Sequence, residues 1–400
     1  MGPKGYIKKI LLEKLHARPE IVSRVSKRIV EHGVPAYLNW NFETEKKQTL
    51  DFLESRRVGD FSYTFSETVD DACLYNSIYA FLLCGLYGEL DSDRERMNSW
   101  VDFIDEHQTD SDGLFRDPIL AGSRFEGEAG WGDGWGARHL TAHLPMVYVR
   151  AGRVPRYRLA HLEPFYDLAF TNKWLAGFDF GKPVWPQSNE IMNVVVLLQF
   201  SRDYMLDAKA GRIIMLIQNW LLAKQSLETG LWHENPVDEY PELGDAVRAA
   251  YHFFPLFTYD GIAVPNLEKV IRVILSSQNR WGGFNPEDDP SGACEDIDAI
   301  EPLVRFSNQV RDDESIEASI RKAMIWTLTC RGEHGGYESI PEHGCEYGEH
   351  PLTTSQPGEA NLFATWFRTL AIAYMVKGLG FPNDYRLVSA PGYEQQLDSR

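Results

Sequence analysis

Hydrophobic and polar positions alternate along residues 43–380 in a regular order, in which a more polar segment is followed each time by a more apolar one. In the polar segments, apolar residues recur at helical spacing on one face, as Val270, Ile271 and Ile274 do within 266–278. In the apolar segments, polar residues are concentrated in the first turn. The pattern predicts amphipathic helices of the first kind and buried helices of the second.

Six such pairs of helices are predicted. The more polar helices are expected at 43–57, 93–108, 162–174, 207–225, 266–278 and 316–330. The more apolar helices are expected at 66–88, 134–152, 187–200, 244–261, 293–306 and 358–378. Because the apolar helices must lie inside, six hairpins closing on themselves give two concentric rings. Strand-like alternation is scarce. We therefore predict an all-α fold, an (α/α)6 toroid, also called a barrel.

A repeated signature marks the ends of the polar helices. A polar residue is followed five positions later by glycine, and an aromatic residue comes next or shortly after. The four polar positions 172, 225, 278 and 331 are 53 residues apart, and the segment from Gln108 matches the same template. Glycine suits the left-handed conformation that ends many helices, so the signature predicts a helix stop in each hairpin.

The chain on either side of this pattern is different. Residues 1–42 are predicted to form a basic helical arm, residues 43–385 the toroid, and residues 386–400 an irregular C-terminal tail that frays. No linker composition separates these parts, which favours one domain.

Composition excludes some partners. The net charge of −18 disfavours nucleic acid and anionic membranes, because both require a cationic face. No apolar run approaches the ~18 residues that span a membrane, and the N-terminal segment lacks the apolar core of a secretory signal. The five cysteines are odd in number and widely spread, which predicts free thiols in the cytoplasm.

Acidic residues crowd the start of one apolar helix. Cys294, Glu295, Asp296 and Asp298 lie within five positions, where parallel inner helices would bring their amino ends to one mouth of a central cavity. Capping of the helix explains part of this crowding. Carboxylates held close together in a half-buried cavity also repel, so at least one should retain its proton and act as a general acid.

The other first turns supply candidate substrate-binding residues. Arg138 and Arg248 need either a carboxylate partner or a bound anion, and we expect them to hold an anionic head such as diphosphate if the substrate has one. His139 and His143 are four positions apart, the spacing of a possible metal pair. The predicted substrate-binding set is Trp135, Arg138, His139, Asp245, Arg248, Tyr251, His252, Phe284, Glu359, Asn361 and Trp366.

These loops and the acidic run together resemble the terpenoid cyclase and protein prenyltransferase superfamily. The run "EDIDAI" (295–300) is similar to the D-x-D-D motif of class II cyclases, which protonates an alkene or epoxide. The resemblance implies that Asp298 delivers the proton, with Asp296 and Glu295 holding it protonated. Ala299 stands where the family has its last Asp, and the second helical domain usual in bacterial class II cyclases is missing.

The resemblance implies an isoprenoid cyclase-like enzyme, with a small and hydrophobic substrate in the central cavity. Trp135, Tyr251, Phe284 and Trp366 would line it, since aromatic faces stabilise carbocations. No cofactor is expected, with Mg²⁺ or Zn²⁺ as the alternative. The prenyltransferases bind zinc through D-x-C and a histidine. Here the order of the motif at Cys294–Asp296 is reversed, whereas "DAC" (71–73) has the order of the family. His343 or His350 is the candidate histidine for a site at Cys294.

Two other functions remain open. The same toroid carries glycoside hydrolases and polysaccharide lyases, which would use the same carboxylates on a glycan. A non-catalytic toroid that binds a partner is the third hypothesis. Fold alone does not choose between them. The oligomeric state is left open.

Overall fold

The structure, a computed structural model, describes residues 20–117, 135–234, 242–286, 289–311 and 313–397. Its outer helices are α1 (Phe42–Ser55), α3 (Arg94–Asp105), α6 (Leu168–Leu175), α8 (Ala210–Lys224), α10 (Leu267–Ser276) and α12 (Asp313–Thr329). Its inner helices are α2 (Leu74–Leu86), the pair α4 (Trp135–Ala142) and α5 (Leu144–Ala151), α7 (Val184–Asp203), α9 (Glu242–Thr258), α11 (Ala293–Phe306) and α13 (Leu362–Gly378).

The inner helices form a closed ring. Each one packs on the next along the chain, and α13 packs back on α2. Every residue of α2 is buried, as is nearly all of α13, whereas outer helices such as α3 bury a single face. The predicted (α/α)6 toroid is therefore confirmed. One inner helix is interrupted at His143, next to Pro145, since proline lacks the N–H that a continuous helix needs there.

Strand structure is minor in the described part of the chain. Strand β1 (Cys345–Glu346) pairs antiparallel with β2 (Thr354–Ser355) in the long connection between α12 and α13. Short 3-10 turns lie at Ala160–Tyr166, Ser307–Gln309, Tyr347–Glu349 and Pro351–Thr353. No described helix has both the length and the hydropathy to span a membrane.

The repeated signature ties neighbouring hairpins together. The side-chain amide of Gln108 donates to the carbonyl of Gly113 (3.0 Å) and to that of Tyr157 in the next hairpin (2.8 Å). Gln225 and Gln278 make the same pair of contacts in their own copies. Each therefore fixes the end of one outer helix against the start of the next outer segment.

In four of the five copies, the glycine that ends the helix has a positive φ. In the Gly282-Gly283 copy it is the first glycine, with φ +106°, and a Cβ there would lie 2.3 Å from the carbonyl oxygen of Lys322. Only glycine fits so close to a neighbouring backbone. The copy at Asn172 departs from the template, because its amide donates to its own helix at Leu168 and Gly177 has no positive φ.

The ring closes between the last hairpin and the first. Arg331, the anchor after α12, forms an ion pair with the buried carboxylate of Glu45 on α1. The Tyr337 hydroxyl donates to the second oxygen of the same carboxylate (2.9 Å). Glu45 therefore joins α1 to the connection between α12 and α13 in the sixth hairpin.

The two ends of the chain pack on this ring. Residues 20–38 form the arm helix, which contains a π-type turn at Ile29–Gly33 and packs against α12. This part of the predicted arm is helical, and residues 1–19 lie outside the described residues. The tail is irregular as predicted, but residues 390–395 are buried, so the expectation that it frays is wrong over that range. Residues 398–400 are not described.

Candidate functional site

A cavity of about 340 Å³ lies at the amino ends of the inner helices. Five inner helices contribute to it, namely α4, α7, α9, α11 and α13, as the parallel arrangement predicts. Its helical walls are formed by Trp135, His139, His143, Trp185, Asn189, Arg248, His252, Ala293, Cys294, Glu295, Asp298, Phe363 and Phe367. The loops and tail add Gly292, Ser339, Ile340, Cys345, Glu346, Tyr347, Gly348 and Tyr393.

Asp298 provides the buried carboxyl group of this cavity. Its side chain is 3% exposed, and its Oδ2 atom has no hydrogen-bond partner among the described residues. Burial raises the pKa of Asp298 well above its usual range, the charge of Arg248 opposes this, and the charges of Glu295 and Asp296 add to it. Asp298 therefore lines the cavity with a carboxyl group whose protonated form is favoured by burial.

Asp296, predicted to act beside Asp298, lies outside the cavity. Two positions on an α-helix differ by about 200° in direction, so Asp296 points away from the cavity into the packing around α11. Its Oδ1 accepts from Ser291 and from the backbone of Phe284, and its Oδ2 accepts from Trp326 Nε1 and Arg368 Nη1, both at 2.8 Å. Asp296 is a structural residue here.

Glu295 and Arg248 form a pair at the cavity wall. Arg248 Nη1 lies 3.3 Å from Glu295 Oε1, and the other carboxylate oxygen accepts from the backbone of Gly292 (2.7 Å) at the start of α11. The Arg248 guanidinium also lies 5.0 Å from the centroid of the Trp185 ring. Glu295 thus combines a helix cap with an ion pair beside Asp298.

Three histidines on the cavity walls are uncharged at neutral pH. Burial lowers the pKa of His139 well below its usual range, that of His143 to about 4 and that of His252 to about 3. Hydrogen bonds hold the rings: His139 Nδ1 pairs with the Tyr75 hydroxyl and His252 Nδ1 with the Ser188 hydroxyl, both at 2.8 Å. The walls therefore contain neutral imidazoles.

Aromatic rings surround the remaining space. Trp135 stacks on His139 with ring centroids 4.5 Å apart, and Tyr347 stacks on Phe363 at 4.3 Å. Tyr393 contacts the edge of Phe367 at 5.7 Å. The cavity is thus apolar on most sides, with one buried acid.

Four predicted substrate-binding residues line the cavity, namely Trp135, His139, Arg248 and His252, and the other seven lie elsewhere. Arg138 is paired with Glu190 at 2.9 Å, outside the cavity lining. Asp245 caps the neighbouring helix α7, since its carboxylate accepts from the backbone of Val184 and Trp185. Arg138 thus forms an ion pair and Asp245 caps a helix. A polar residue in the first turn of a helix can have either role or bind a ligand, and the sequence pattern did not distinguish these.

The remaining five are also corrected. Phe284 lies in the loop before α11, and Asn361 caps α13 through Ala364. Glu359 accepts from the backbone and the hydroxyl of Thr68. Tyr251 is buried beneath Tyr393, with ring centroids 5.8 Å apart. Trp366 is buried away from the cavity, because on α13 the cavity face belongs to Phe363 and Phe367.

The residues that the sequence prediction missed come from three places. Phe363 and Phe367 are four positions apart on α13, a spacing that was available as a signal. Trp185 lies in the first turn of α7, ahead of the predicted start of that helix. Tyr347 and Tyr393 belong to the irregular loop and tail, where no periodic pattern points to them.

Among the described residues, no group of three or more His, Cys, Asp or Glu side chains is arranged to hold a metal ion. Burial raises the pKa of the Cys294 thiol well above its usual range, which disfavours the thiolate that zinc requires. His343 and His350 lie in the connection before α13, and neither lines the cavity. The absence of a cofactor stays a prediction.

A second, larger groove of about 1240 Å³ lies between the arm helix and the outer ring. Several of its charges are paired within the protein, such as Arg28 with Glu338 and Arg331 with Glu45. Glu359 lies on this groove. This groove is separate from the cavity at the amino ends of the inner helices.

No protein-family model matches this chain, and no curated protein matches its sequence. Among solved structures, it resembles a variant of the type II terpene cyclase MstE from Scytonema in complex with its substrate geranylgeranyl dihydroxybenzoate. The identity is 13% over 85% of this chain and 97% of the other, with a TM-score of 0.48. It also resembles a glycosyl hydrolase of family 88 from Bacteroides vulgatus, with 12% identity, coverages of 84% and 97%, and a TM-score of 0.45.

A protein from Actinoplanes is similar at 14% identity, with coverages of 84% and 99% and a TM-score of 0.45. The α/α toroid is established by the packing of the helices described above. At these identities, nothing about chemistry follows from the neighbours.

Proposed function

We propose that this protein is an enzyme that protonates an uncharged isoprenoid in its central cavity, with Asp298 as the general acid. The observation that carries the proposal is the buried Asp298 carboxyl, which lines an aromatic-walled cavity, has a raised pKa and has an Oδ2 atom without a hydrogen-bond partner among the described residues. A carboxylic acid in this setting can donate its proton at neutral pH.

The chemistry needs few other groups. The electrons of a substrate double bond, or of an epoxide oxygen, take the Asp298 proton, and a carbocation forms on the substrate. The faces of Trp135, Trp185 and Phe363 stabilise that cation. A neutral imidazole, such as that of His143 or His252, can accept the proton that is released when the reaction ends.

The charges favour a substrate without a diphosphate. Among the described cavity residues, Arg248 is the one cation, and it is already paired with Glu295. The three histidines add no positive charge at neutral pH. The sequence predicted that two arginines hold an anionic head, if the substrate has one. The proposed substrate is instead an uncharged alkene, alcohol or epoxide.

The same residues disfavour glycoside hydrolysis. That reaction uses two carboxyl groups on opposite sides of the scissile bond. Of the carboxyl groups among the described cavity residues, only that of Asp298 is buried. Glu295 lies three positions away on the same helix, and its carboxylate is bonded to Arg248 and Gly292. The observations therefore favour the isoprenoid over the glycan.

Conversion in heavy water tests the proposal. The wild-type protein should convert prenyl alkenes or alcohols, protonated at a double bond, to products that carry one deuterium on carbon, because the proton on Asp298 exchanges with solvent. Asp298→Asn should reduce the rate about 10²–10⁴-fold, the usual contribution of a general acid. The exposed Asp91→Asn is the matched control. Conversion without deuterium, or turnover of an oligosaccharide instead, contradicts the proposal.

A further inference from the structure

The floor of the cavity is a residue of the C-terminal tail. The ring of Tyr393 lies 5.4 Å from that of His143 and 5.7 Å from that of Phe367, both of which line the cavity. Tyr393 also stacks on Tyr251, which is completely buried and does not line the cavity. Tyr393 therefore separates the cavity from the packed interior of the toroid.

Three inner helices hold this floor in place. The Tyr374 hydroxyl on α13 donates to the carbonyl of Tyr393 (3.0 Å). Next to it, Glu394 forms a buried ion pair with Arg150 of α5 at 2.5 Å. The amide of Gln395 donates to the carbonyl of Pro255 in α9 (3.0 Å). Because these anchors are buried, the floor is a fixed wall.

The volume above the floor limits the ligand. At ~30 Å³ for each group of the size of a water molecule, the cavity of about 340 Å³ holds roughly eleven such groups. A prenyl chain of about ten carbons matches this volume, and a further five-carbon unit would extend towards the mouth.

We infer that Tyr393 is a specificity-determining residue that sets the length of the hydrocarbon chain that the cavity accepts. The identity of that chain as an isoprenoid rests on the proposed function, whereas the role of the floor does not depend on catalysis. The ligand class is an uncharged prenyl compound of about ten carbons, as its volume requires.

Binding of prenyl alcohols of increasing length tests the inference. The probes are prenol, geraniol, farnesol and geranylgeraniol, with five, ten, fifteen and twenty carbons. The readouts are calorimetry and the fluorescence of the protein, since Trp135 and Trp185 line the cavity. For wild type, affinity should rise from prenol to geraniol and then level off.

Tyr393→Leu removes the ring and should extend this rise. Farnesol should then bind about fourfold more tightly than geraniol, because roughly one further methylene group becomes buried. Tyr393→Phe, which keeps the ring, should retain the wild-type length profile. Phe367→Leu shortens a second side chain at the floor and should shift the profile in the same direction, which keeps the test available if Tyr393→Leu fails to fold.

The outcomes separate the two proposals. A length profile that is the same in wild type and in both leucine variants overturns the role of Tyr393. Binding with the expected profile but without conversion in heavy water overturns the proposed function alone. If wild type binds none of the four alcohols, both are overturned.

Discussion

Two opposite charges flank the acid carboxyl of Asp298. Arg248 lowers the pKa of Asp298, while Glu295 raises it, and burial dominates both effects. The Asp296 carboxylate also raises this pKa, but it is paired with Arg368 outside the cavity. The remaining groups that interact with Asp298 are uncharged at neutral pH, namely the Cys294 thiol and the phenols of Tyr251 and Tyr393, whose pKa values are all raised well above their usual ranges, so Arg248 and Glu295 are its charged neighbours on the cavity wall. The two charged neighbours can therefore be tested separately.

Glu295→Gln and Arg248→Met should shift the pH dependence of activity in opposite directions. A general acid is active while protonated, so activity falls as the pH rises through the pKa of Asp298. Without Glu295 that pKa falls and the alkaline limb of kcat/KM moves to lower pH. Without Arg248 the pKa rises and the limb moves to higher pH. Shifts of the same sign in both variants would contradict this account.

Asp298→Asn should be more stable than wild type, by a margin that grows with pH. Since the pKa of Asp298 is raised in the folded state, the unfolded chain releases this proton first. Between the ordinary pKa of about 3.9 and the raised one, wild type therefore loses stability as the pH rises. Asparagine does not titrate and avoids this loss. Thermal unfolding of wild type and Asp298→Asn from pH 4 to 8 measures this difference in stability. Parallel curves of Tm against pH for the two proteins would show that the Asp298 carboxyl is ionised in the folded protein.

The position of Asp298 at the cavity was predicted from the sequence, but the other residues of the cavity wall were predicted only in part. Asp298 and Glu295 were identified from the density of carboxyl groups at a helix start. Asp296 was misassigned, although the 200° that separates it from Asp298 on a helix was available as an argument. Tyr393 had no local signal, because its position depends on contacts with α5, α9 and α13 that the pattern of an irregular tail does not encode.

At the scale of the elements, the amides that bridge successive hairpins set the spacing of the outer ring. Gln108 makes three hydrogen bonds across one junction, since its carbonyl oxygen also accepts from the backbone of Tyr157 (2.7 Å). Asn172, which matches the same signature in sequence, donates within its own helix and is exposed. The equal spacing of 53 residues therefore predicted where the outer helices end. It did not predict which polar residues bridge to the next hairpin.

Gln108→Ala should lower the free energy of unfolding by roughly 2 kcal/mol, because it leaves partly buried backbone groups without partners. Asn172→Ala, at the matching position in another copy, should leave it nearly unchanged. Denaturant unfolding of the two variants provides the comparison. Equal effects of the two substitutions would mean that the bridges between hairpins do not stabilise the ring.

At the scale of the whole molecule, one carboxylate closes the ring. Glu45→Ala should destabilise the protein by about 3–5 kcal/mol, because it leaves the largely buried Arg331 and the buried Tyr337 hydroxyl without their partner. Glu54→Ala on the same helix, which removes an exposed ion pair with Arg57, should leave the free energy of unfolding unchanged within error. A small effect of Glu45→Ala, measured by denaturant unfolding, would show that the ring closes by apolar packing alone.

The contact between Glu45 and Arg331 joins positions 286 residues apart along the chain. Contacts of such high sequence separation form late in folding, because the entropy of closing a long loop must be overcome first. Until then, the hairpins form an open arc in which α2 lacks its neighbour α13 and exposes apolar side chains. Such an arc can associate with another chain through the same surfaces. The yield of refolding should therefore fall as protein concentration rises, even though the finished ring has closed its inner helices on one another.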